Sequence, residues 1–186
     1  LDYIQTYPVE APLYSHDEII KKQALLGIAF KDLEIKLFHD DNRKVIDFAI
    51  GDLLFTHKGL SGPGALLLCQ SAYMLLKANK APYLSICFLN SIKQADLAII
   101  IDNSQESIRN TLYKHLKKRL VNYLLEAANI DPLKAAKQLS NADKEKIYQT
   151  IYRMRINIQA VAPLKQAFVT GGGIDLKAID PKTFVS

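Results

Sequence analysis

Two glycine-rich stretches contain the residues whose types and spacing could do chemistry. The first, FTHKGLSGPG at 55–64, places three of the chain's eight glycines beside a histidine, a serine and a proline. The second, TGGGI at 170–174, holds three more glycines. Glycine adopts backbone conformations closed to other residues and lets a ligand approach the backbone closely. We therefore expect two loops with a shared functional use.

The serine in the first stretch does not form a complete hydrolase motif. A nucleophile elbow, G-x-S-x-G, centred on Ser61 would need a glycine where Pro63 stands. A catalytic triad also needs a later histidine, and the histidine that follows, His115, lies in a basic helical segment. The pattern therefore argues against a serine nucleophile.

The same stretch does not form a complete nucleotide-binding fingerprint. Gly59 and Gly64 have the spacing of a P-loop, but Ala65 and Leu66 replace its lysine and its hydroxyl residue. Leu67 stands where a dinucleotide fingerprint has its third glycine. No complete phosphate-binding motif is present.

A simpler arrangement remains: a strand that ends at Phe55, a loop, and a helix that begins near Pro63. The free amides of the first helical turn, at 64–66, would then face a ligand. His57 could donate a proton or a hydrogen bond there, because its reference pKa lies near neutrality. The alternative is that the glycines make a tight turn and that His57 is a surface residue.

The composition suits one domain or two small ones. The chain has 186 residues, 49% of them apolar, and no run approaches the roughly 20 apolar residues of a membrane span. The opening LDYIQTYPVE lacks an initiator methionine and signal-peptide features, which suggests a piece of a longer protein. Two cysteines without CxxC spacing fit a reducing compartment, and four scattered histidines predict no metal site.

The net charge of +5 permits an anionic partner without demanding one. Most of the excess lies between 114 and 155, in KHLKKR and YRMR. A solvated helix face is the simpler interpretation, and nucleic-acid binding is the alternative.

The first ninety residues have mostly strand character. An arm with two prolines leads to a short helix that Ser15 or Asp17 could cap and Gly27 could end. LEIKLFH and KVIDFAI alternate around Asp40–Asn42, which predicts a β-hairpin. GALLLCQSAYMLLKAN has the spacing of a buried helix, and PYLSICFL is typical of a strand.

The next segment has helical character. SIKQADLAIII predicts a helix, with Ser91 and Gln94 as a capping box. We expect helix throughout 105–155, with starts at Asp131 and Asn141. INIQAVAPL and QAFVT then return to strand character.

These elements predict an α+β fold. We expect a β-rich, barrel-like subdomain at 1–90 plus 156–186, with an all-helical subdomain inserted at 91–155. The chain itself has no Rossmann domain.

Three segments carry a resemblance to a family. GDLLFTHKGLSGPGALL resembles the G-E-x-L-F-T-H-x-G-L-S-G-P-A-x-L signature of bacterial NAD(P)/FAD-dependent oxidoreductases of the aminoacetone-oxidase or bile-acid-reductase-like type. The segments at 8–37 and 166–186 resemble two further motifs of that family, in the same order. Asp52, Gly64 and Phe184 replace the usual Glu, Ala and Met.

The resemblance implies the insert domain of a cytoplasmic flavoprotein. In the family, a Rossmann half with G-x-G-x-x-G precedes this region and a further flavin-binding segment follows it. The insert would cover the flavin and shape the substrate site, with FAD held by the parent and none by this piece, which would be inactive alone. The implied partners are the FAD-binding domain of the same polypeptide, a small-molecule substrate and NAD(P)H; membrane is excluded and nucleic acid disfavoured. An independent module that binds an anionic partner through the basic helical face is the alternative.

The resemblance favours a functional loop at 57–64 over a tight turn with a surface histidine, but it carries over no catalytic residue. His57 is the candidate catalytic group. The candidate cofactor- or substrate-facing residues come from both glycine stretches: Thr56, Gly59, Ser61, Gly62, Gly64, Thr170, Gly171 and Gly172.

Overall fold

The computed structural model describes residues 3–40 and 42–175. The strands are β1 Tyr3–Pro8, β2 Leu13–Tyr14, β3 Ala29–His39, β4 Asn42–Phe55, β5 Gly59–Ser61, β6 Pro82–Cys87, β7 Met154–Asn157, β8 Ala160–Val161 and β9 Thr170–Ile174. The helices are α1 Glu18–Lys21, α2 Pro63–Leu67, α3 Cys69–Lys77, α4 Gln94–Asn103, α5 Ile108–Tyr113, α6 Lys118–Ala127 and α7 Asn141–Arg153. Short 3₁₀ helices lie at Ala136–Gln138 and Leu164–Gln166.

Seven antiparallel strands form a strongly curled sheet in the order β7-β6-β3-β4-β5-β2-β8. Its two edge strands, β7 and β8, are consecutive in the chain. Between them, the Ile158 amide donates to the Pro82 carbonyl and the Gln159 amide to the Tyr14 carbonyl. One extended segment thus spans both edges, and the sheet is barrel-like without being a closed barrel. The α+β fold class is confirmed.

The β3–β4 hairpin forms where alternation predicts it. Leu33, Ile35 and Leu37 are buried, whereas Glu34 and Lys36 lie between them on the opposite face. Period-two alternation places one set of side chains in the core and leaves the other partly solvated. Of the predicted turn, Asp41 lies outside the described residues.

The helical segment is more broken than predicted. α4 is a helix as expected, but it begins at Gln94 after Lys93, so the capping box at Ser91 is wrong. The prediction of helix throughout 105–155 is also wrong. Asn129 lies two residues after the end of α6 and has φ 55°. This left-handed conformation cannot continue a right-handed helix.

The predicted starts near 131 and 141 have different outcomes. Asp131 begins a turn, in which its Oδ1 accepts the Leu133 amide at 2.9 Å, and no helix starts there. α7 begins at Asn141, and the cap is the residue before it: Ser140 Oγ accepts the Asp143 amide at 3.1 Å.

The second glycine stretch is a strand, so the prediction of a loop at 170–174 is wrong. β9 pairs with β1 in a separate two-stranded sheet, with Tyr3 opposite Ile174 and Tyr7 opposite Gly171. A Cβ on Gly171 would lie 2.4 Å from Cζ of Tyr7. The absent side chain therefore makes room for the Tyr7 ring, which stacks on Tyr73 with centroids 5.3 Å apart.

One hydrophobic cluster extends through both predicted subdomains. Phe30 and Phe88 meet edge to face with centroids 4.8 Å apart, and the Phe88 amide donates to the Ile151 carbonyl of α7. The division into 1–90 plus 156–186 and 91–155 stays a prediction. Among the described helices, none is long and apolar enough to cross a membrane.

Arg119 of α6 joins the helical segment to the chain that follows α1. Its guanidinium donates to the carbonyls of Gln23, Ala24 and Leu26 at 2.7–3.1 Å. Its planar fork satisfies three carbonyls at once, which a lysine ammonium cannot reproduce in that geometry.

We expect Arg119→Lys to lower the free energy of unfolding by about 1–2 kcal/mol, because charged hydrogen bonds are lost at these carbonyls. Arg153→Lys is the matched control, since Arg153 makes one side-chain hydrogen bond, to Gln94, and an exposed ion pair with Glu145. The control should change stability by less than about 0.5 kcal/mol. Urea unfolding followed by circular dichroism measures both, and equal losses would contradict the docking role of Arg119.

Candidate functional site

His57 lies in a tight connection between β4 and β5. The Thr56 amide and its Oγ1 both donate to the Gly59 carbonyl, at 2.8 and 3.1 Å. The side chains of His57 and Lys58 project from this turn and are exposed. The predicted strand end at Phe55 is confirmed, but a short strand, β5, follows the turn where the sequence predicts a loop.

The glycines of the first stretch lie against the chain's own backbone. A Cβ on Gly59, at φ 152°, would lie 2.1 Å from the Leu13 carbonyl oxygen of β2. A Cβ on Gly62 would lie 2.8 Å from the Asp52 carbonyl oxygen. Packing between strands therefore requires these glycines, whatever else approaches them.

Gly64 has a similar environment. A Cβ there would lie 2.7 Å from Cδ1 of Ile35, and Gly59 and Gly64 are both buried. Their assignment as cofactor- or substrate-facing residues stays a prediction, as does that of Ser61 and Gly62, which are half-buried.

The sequence predicts free amides at the start of α2, but the structure shows two of them hydrogen-bonded. Ala65 and Leu66 both donate to the Gly62 carbonyl at 3.0 Å. Because α2 has only five residues, the chain closes its first turn on itself. The expectation of an open row of amides at 64–66 is wrong for these two residues.

The structure brings only part of the predicted site together. Thr56, His57 and Ser61 line one cavity. Thr170, Gly171 and Gly172 lie in β9 against β1, and none of them lines the described cavities beside His57.

Two cavities of about 300 Å³ each flank the Thr56–Lys58 turn. Tyr14, His57 and Lys58 line both of them. One cavity also contains Gln166, and the other contains His16 and Lys21. Gln166 belongs to the second 3₁₀ helix, Lys21 to α1 and His16 to the connection between β2 and α1. No local motif marked these residues in the sequence.

Hydrogen bonds hold the walls of these cavities in place. The Tyr14 hydroxyl donates to Oε1 of Gln166 at 2.8 Å, and the Ser15 amide donates to the Lys58 carbonyl at 2.9 Å. The His16 amide donates to Oε1 of Gln159 at 2.7 Å. The exposed side chains therefore stand on a framework of paired strands.

The surface at the cavities is basic. Nζ of Lys58 lies 5.7 Å from the centroid of the Tyr14 ring. Lys21 meets Glu18 only at 4.0 Å, with both side chains more than half exposed, so this pair is weak. The carboxylate of Asp17 is held by the amide and side chain of Asn157 at 2.8–3.2 Å.

The thiols do not offer a reactive nucleophile. Burial raises the pKa of the Cys69 and Cys87 thiols. Reactive cysteines are thiolates with a lowered pKa, so both should be protonated at neutral pH. Within residues 3–40 and 42–175, no group of three or more metal-ligating side chains comes together.

The basic helical run is engaged in contacts within the chain. Lys114 pairs with Glu106 at 2.7 Å, and Nζ of Lys117 lies 5.7 Å from the centroid of the Phe30 ring. Lys118 lies over Tyr113, and Arg119 caps the chain after α1. Arg155 lies 3.8 Å from the centroid of Tyr83 and pairs with Asp40. The charged side chains of KHLKKR are exposed and also make contacts within the chain, which accords with a solvated helix face. The alternative of nucleic-acid binding stays a prediction.

A family model described as "HI0933-like protein barrel and H2TH domain" matches residues 7–169. The chain belongs to the HI0933-like family. This is a family of FAD-dependent oxidoreductases, so the resemblance in the sequence is confirmed at that level.

A curated relative of this HI0933-like chain is "Ribosomal RNA dihydrouridine synthase" of Escherichia coli (strain K12). The two are 33% identical over 137 residues, which cover 71% of this chain and 32% of the relative. The chain thus spans about a third of the length of the curated relative it matches.

The described part of the HI0933-like chain does not fit the pyrophosphate of FAD. Dinucleotide sites present free backbone amides of a glycine-rich turn at a helix N-terminus. Here Ala65 and Leu66 direct their amides to Gly62, and Gly59 and Gly62 lie against β2 and β4.

We expect Gly59→Ala to lower the free energy of unfolding by about 3 kcal/mol or more, because its Cβ would overlap the Leu13 carbonyl. Gly27→Ala is the matched control. Gly27 also has a positive φ, 76°, but a Cβ there would meet nothing within 4 Å. Its cost should be only the backbone strain of about 1–2 kcal/mol. Chemical denaturation of both variants tests this difference, and similar losses would show that the β5–β2 contact adjusts.

Proposed function

We propose that this chain is the substrate-covering insert of an FAD-dependent oxidoreductase that acts on a uridine of ribosomal RNA. The similarity to the ribosomal RNA dihydrouridine synthase carries the choice of substrate. The sequence had favoured a small-molecule substrate in an enzyme of the aminoacetone-oxidase or bile-acid-reductase-like type, and that finer assignment stays a prediction. Ribosomal RNA as substrate accords with a cytoplasmic location.

The pairing of β1 with β9 supports the insert role. Tyr3 lies opposite Ile174, so both ends of the described chain leave at the same place. An inserted domain needs this arrangement, because its two connections must return to one parent domain.

Exposed apolar side chains on this two-stranded stem support a covering partner. At one end of the stem Tyr3 is 64% exposed, with Ile4 and Ile174 exposed beside it. At the other end, Phe168 is 76% exposed next to the exposed Val169, both just before β9. Exposed apolar surface of this kind marks an interaction site. The proposed partner is the FAD-binding domain of the same polypeptide, which would hold the FAD and receive NAD(P)H.

His57 is the proposed substrate-facing group of the insert. It is exposed at the tip of the turn and lines both cavities, so a base placed in either one would lie beside its imidazole. Reduction of the uracil C5=C6 bond adds a hydride at one carbon and a proton at the other. The imidazole can donate a hydrogen bond to the base or supply that proton, since histidine exchanges protons near neutral pH.

The isolated 186-residue chain should purify without bound flavin, because its described residues offer no cradle for the pyrophosphate. Visible absorbance after purification and after incubation with FAD provides the measurement. Stoichiometric flavin retained through gel filtration would contradict the proposal that the rest of the polypeptide holds the cofactor.

In the full-length parent, His57→Ala should lower the formation of dihydrouridine by about 10²-fold or more, as expected for loss of a proton donor. The melting temperature should change little, because His57 is exposed. Mass spectrometry of a ribosomal RNA substrate measures the product, with His115→Ala as the control from the basic helical segment. Unchanged turnover in His57→Ala would remove His57 from the site.

A further inference from the structure

The two cavities beside His57 share part of their lining at the Thr56–Lys58 turn, and together they are called the groove. Three side chains line both: Tyr14, His57 and Lys58. We propose that this groove binds the sugar–phosphate backbone of a single RNA strand next to the base that reacts. The choice of RNA rests on the proposed function, whereas the phosphate-binding chemistry rests on the groove itself.

The groove has one cation on the turn and a second in the cavity that also contains His16. Lys58 stands on the turn, and Lys21 lies in the cavity beyond it. Lysine binds a phosphate oxygen as a compact point charge and needs no fixed fork geometry. The exposed imidazole of His16 lines the same cavity as Lys21, and that of His57 lines both cavities, so both rings add hydrogen-bond donors.

The nearby acids do not cancel this charge. Glu18 lies 4.0 Å from Lys21 and 3.9 Å from Lys22, and these exposed pairs contribute little. Asp17 accepts three hydrogen bonds from Asn157 and is directed to β7. An anionic strand therefore meets a net positive surface.

The geometry favours a strand over a duplex. Each cavity measures about 300 Å³, at the small end of ligand pockets, which suits one nucleotide at a time. Bases in a helix are inaccessible to an enzyme that must reach their ring atoms, so such enzymes take an unpaired or flipped base. A groove that holds one phosphate at Lys58 and another at Lys21 would present one base to His57.

The framework is preorganised. β5, β2 and β8 pair side by side, and Tyr14 is tied to Gln166 and Gln159 to His16. Binding would thus order the RNA and the ends of two lysine side chains, without rearrangement of the walls.

The test measures fluorescence anisotropy of a labelled, uridine-containing single-stranded RNA oligonucleotide with the 186-residue chain at several salt concentrations. The double variant Lys21→Gln/Lys58→Gln should raise the Kd at least about tenfold. It should also reduce the slope of log K against log salt by about 1.4, since each lost contact with a single strand contributes about 0.7.

The matched control is Lys31→Gln/Lys93→Gln, which removes the same charge from exposed positions outside the groove. It should retain the wild-type slope to within about 0.7, that is, less than one phosphate contact. Unfolding curves of both double variants verify that they fold.

Three outcomes would overturn the inference: no RNA binding by the wild-type chain, equal loss in the two double variants, or binding of NADPH but not RNA in a parallel titration. None of them bears on the proposed function, which fails if the full-length parent forms no dihydrouridine in ribosomal RNA. Conversely, a groove that binds RNA in an inactive parent would leave the inference intact.

Discussion

The backbone contact between Gly59 and β2 is the constraint on which the rest of the structure depends. No side chain fits between Gly59 and the Leu13 carbonyl, so only glycine lets β5 pair with β2. β2 then pairs with β8, which continues from β7 at the opposite edge of the sheet. The barrel-like curl therefore depends on one missing methyl group at the centre of the glycine-rich stretch.

The same contact builds the candidate site. Pairing of β5 with β2 places Tyr14 beside Lys58, and the turn between β4 and β5 carries His57 to the rim of two cavities. Rigid strands that present exposed polar side chains are a suitable scaffold for binding, because little conformational entropy is lost when the ligand binds. Structural necessity and proposed function thus meet in the same residues.

Charge along the sequence directs attention to a different surface from the proposed groove. The run KHLKKR is the most basic segment of the sequence, yet its cations contact Glu106, Phe30 and Tyr113 or cap the chain after α1. The groove at Lys21 and Lys58 draws its cations from segments 37 residues apart, so no local excess of charge reveals it. Its recognition requires the fold.

The sequence by itself determined the elements whose signal is local: the β3–β4 hairpin, the strand β6 and the helices after Pro63. It also determined the family, through the motif around His57. It did not determine what the glycines do. TGGGI looks like a loop because glycine disfavours strands locally, but Gly171 is a strand residue since the Tyr7 ring occupies the space above it. That contact joins residues far apart in the chain, and only tertiary structure decides such pairings, because their free energy comes from packing rather than from local preference.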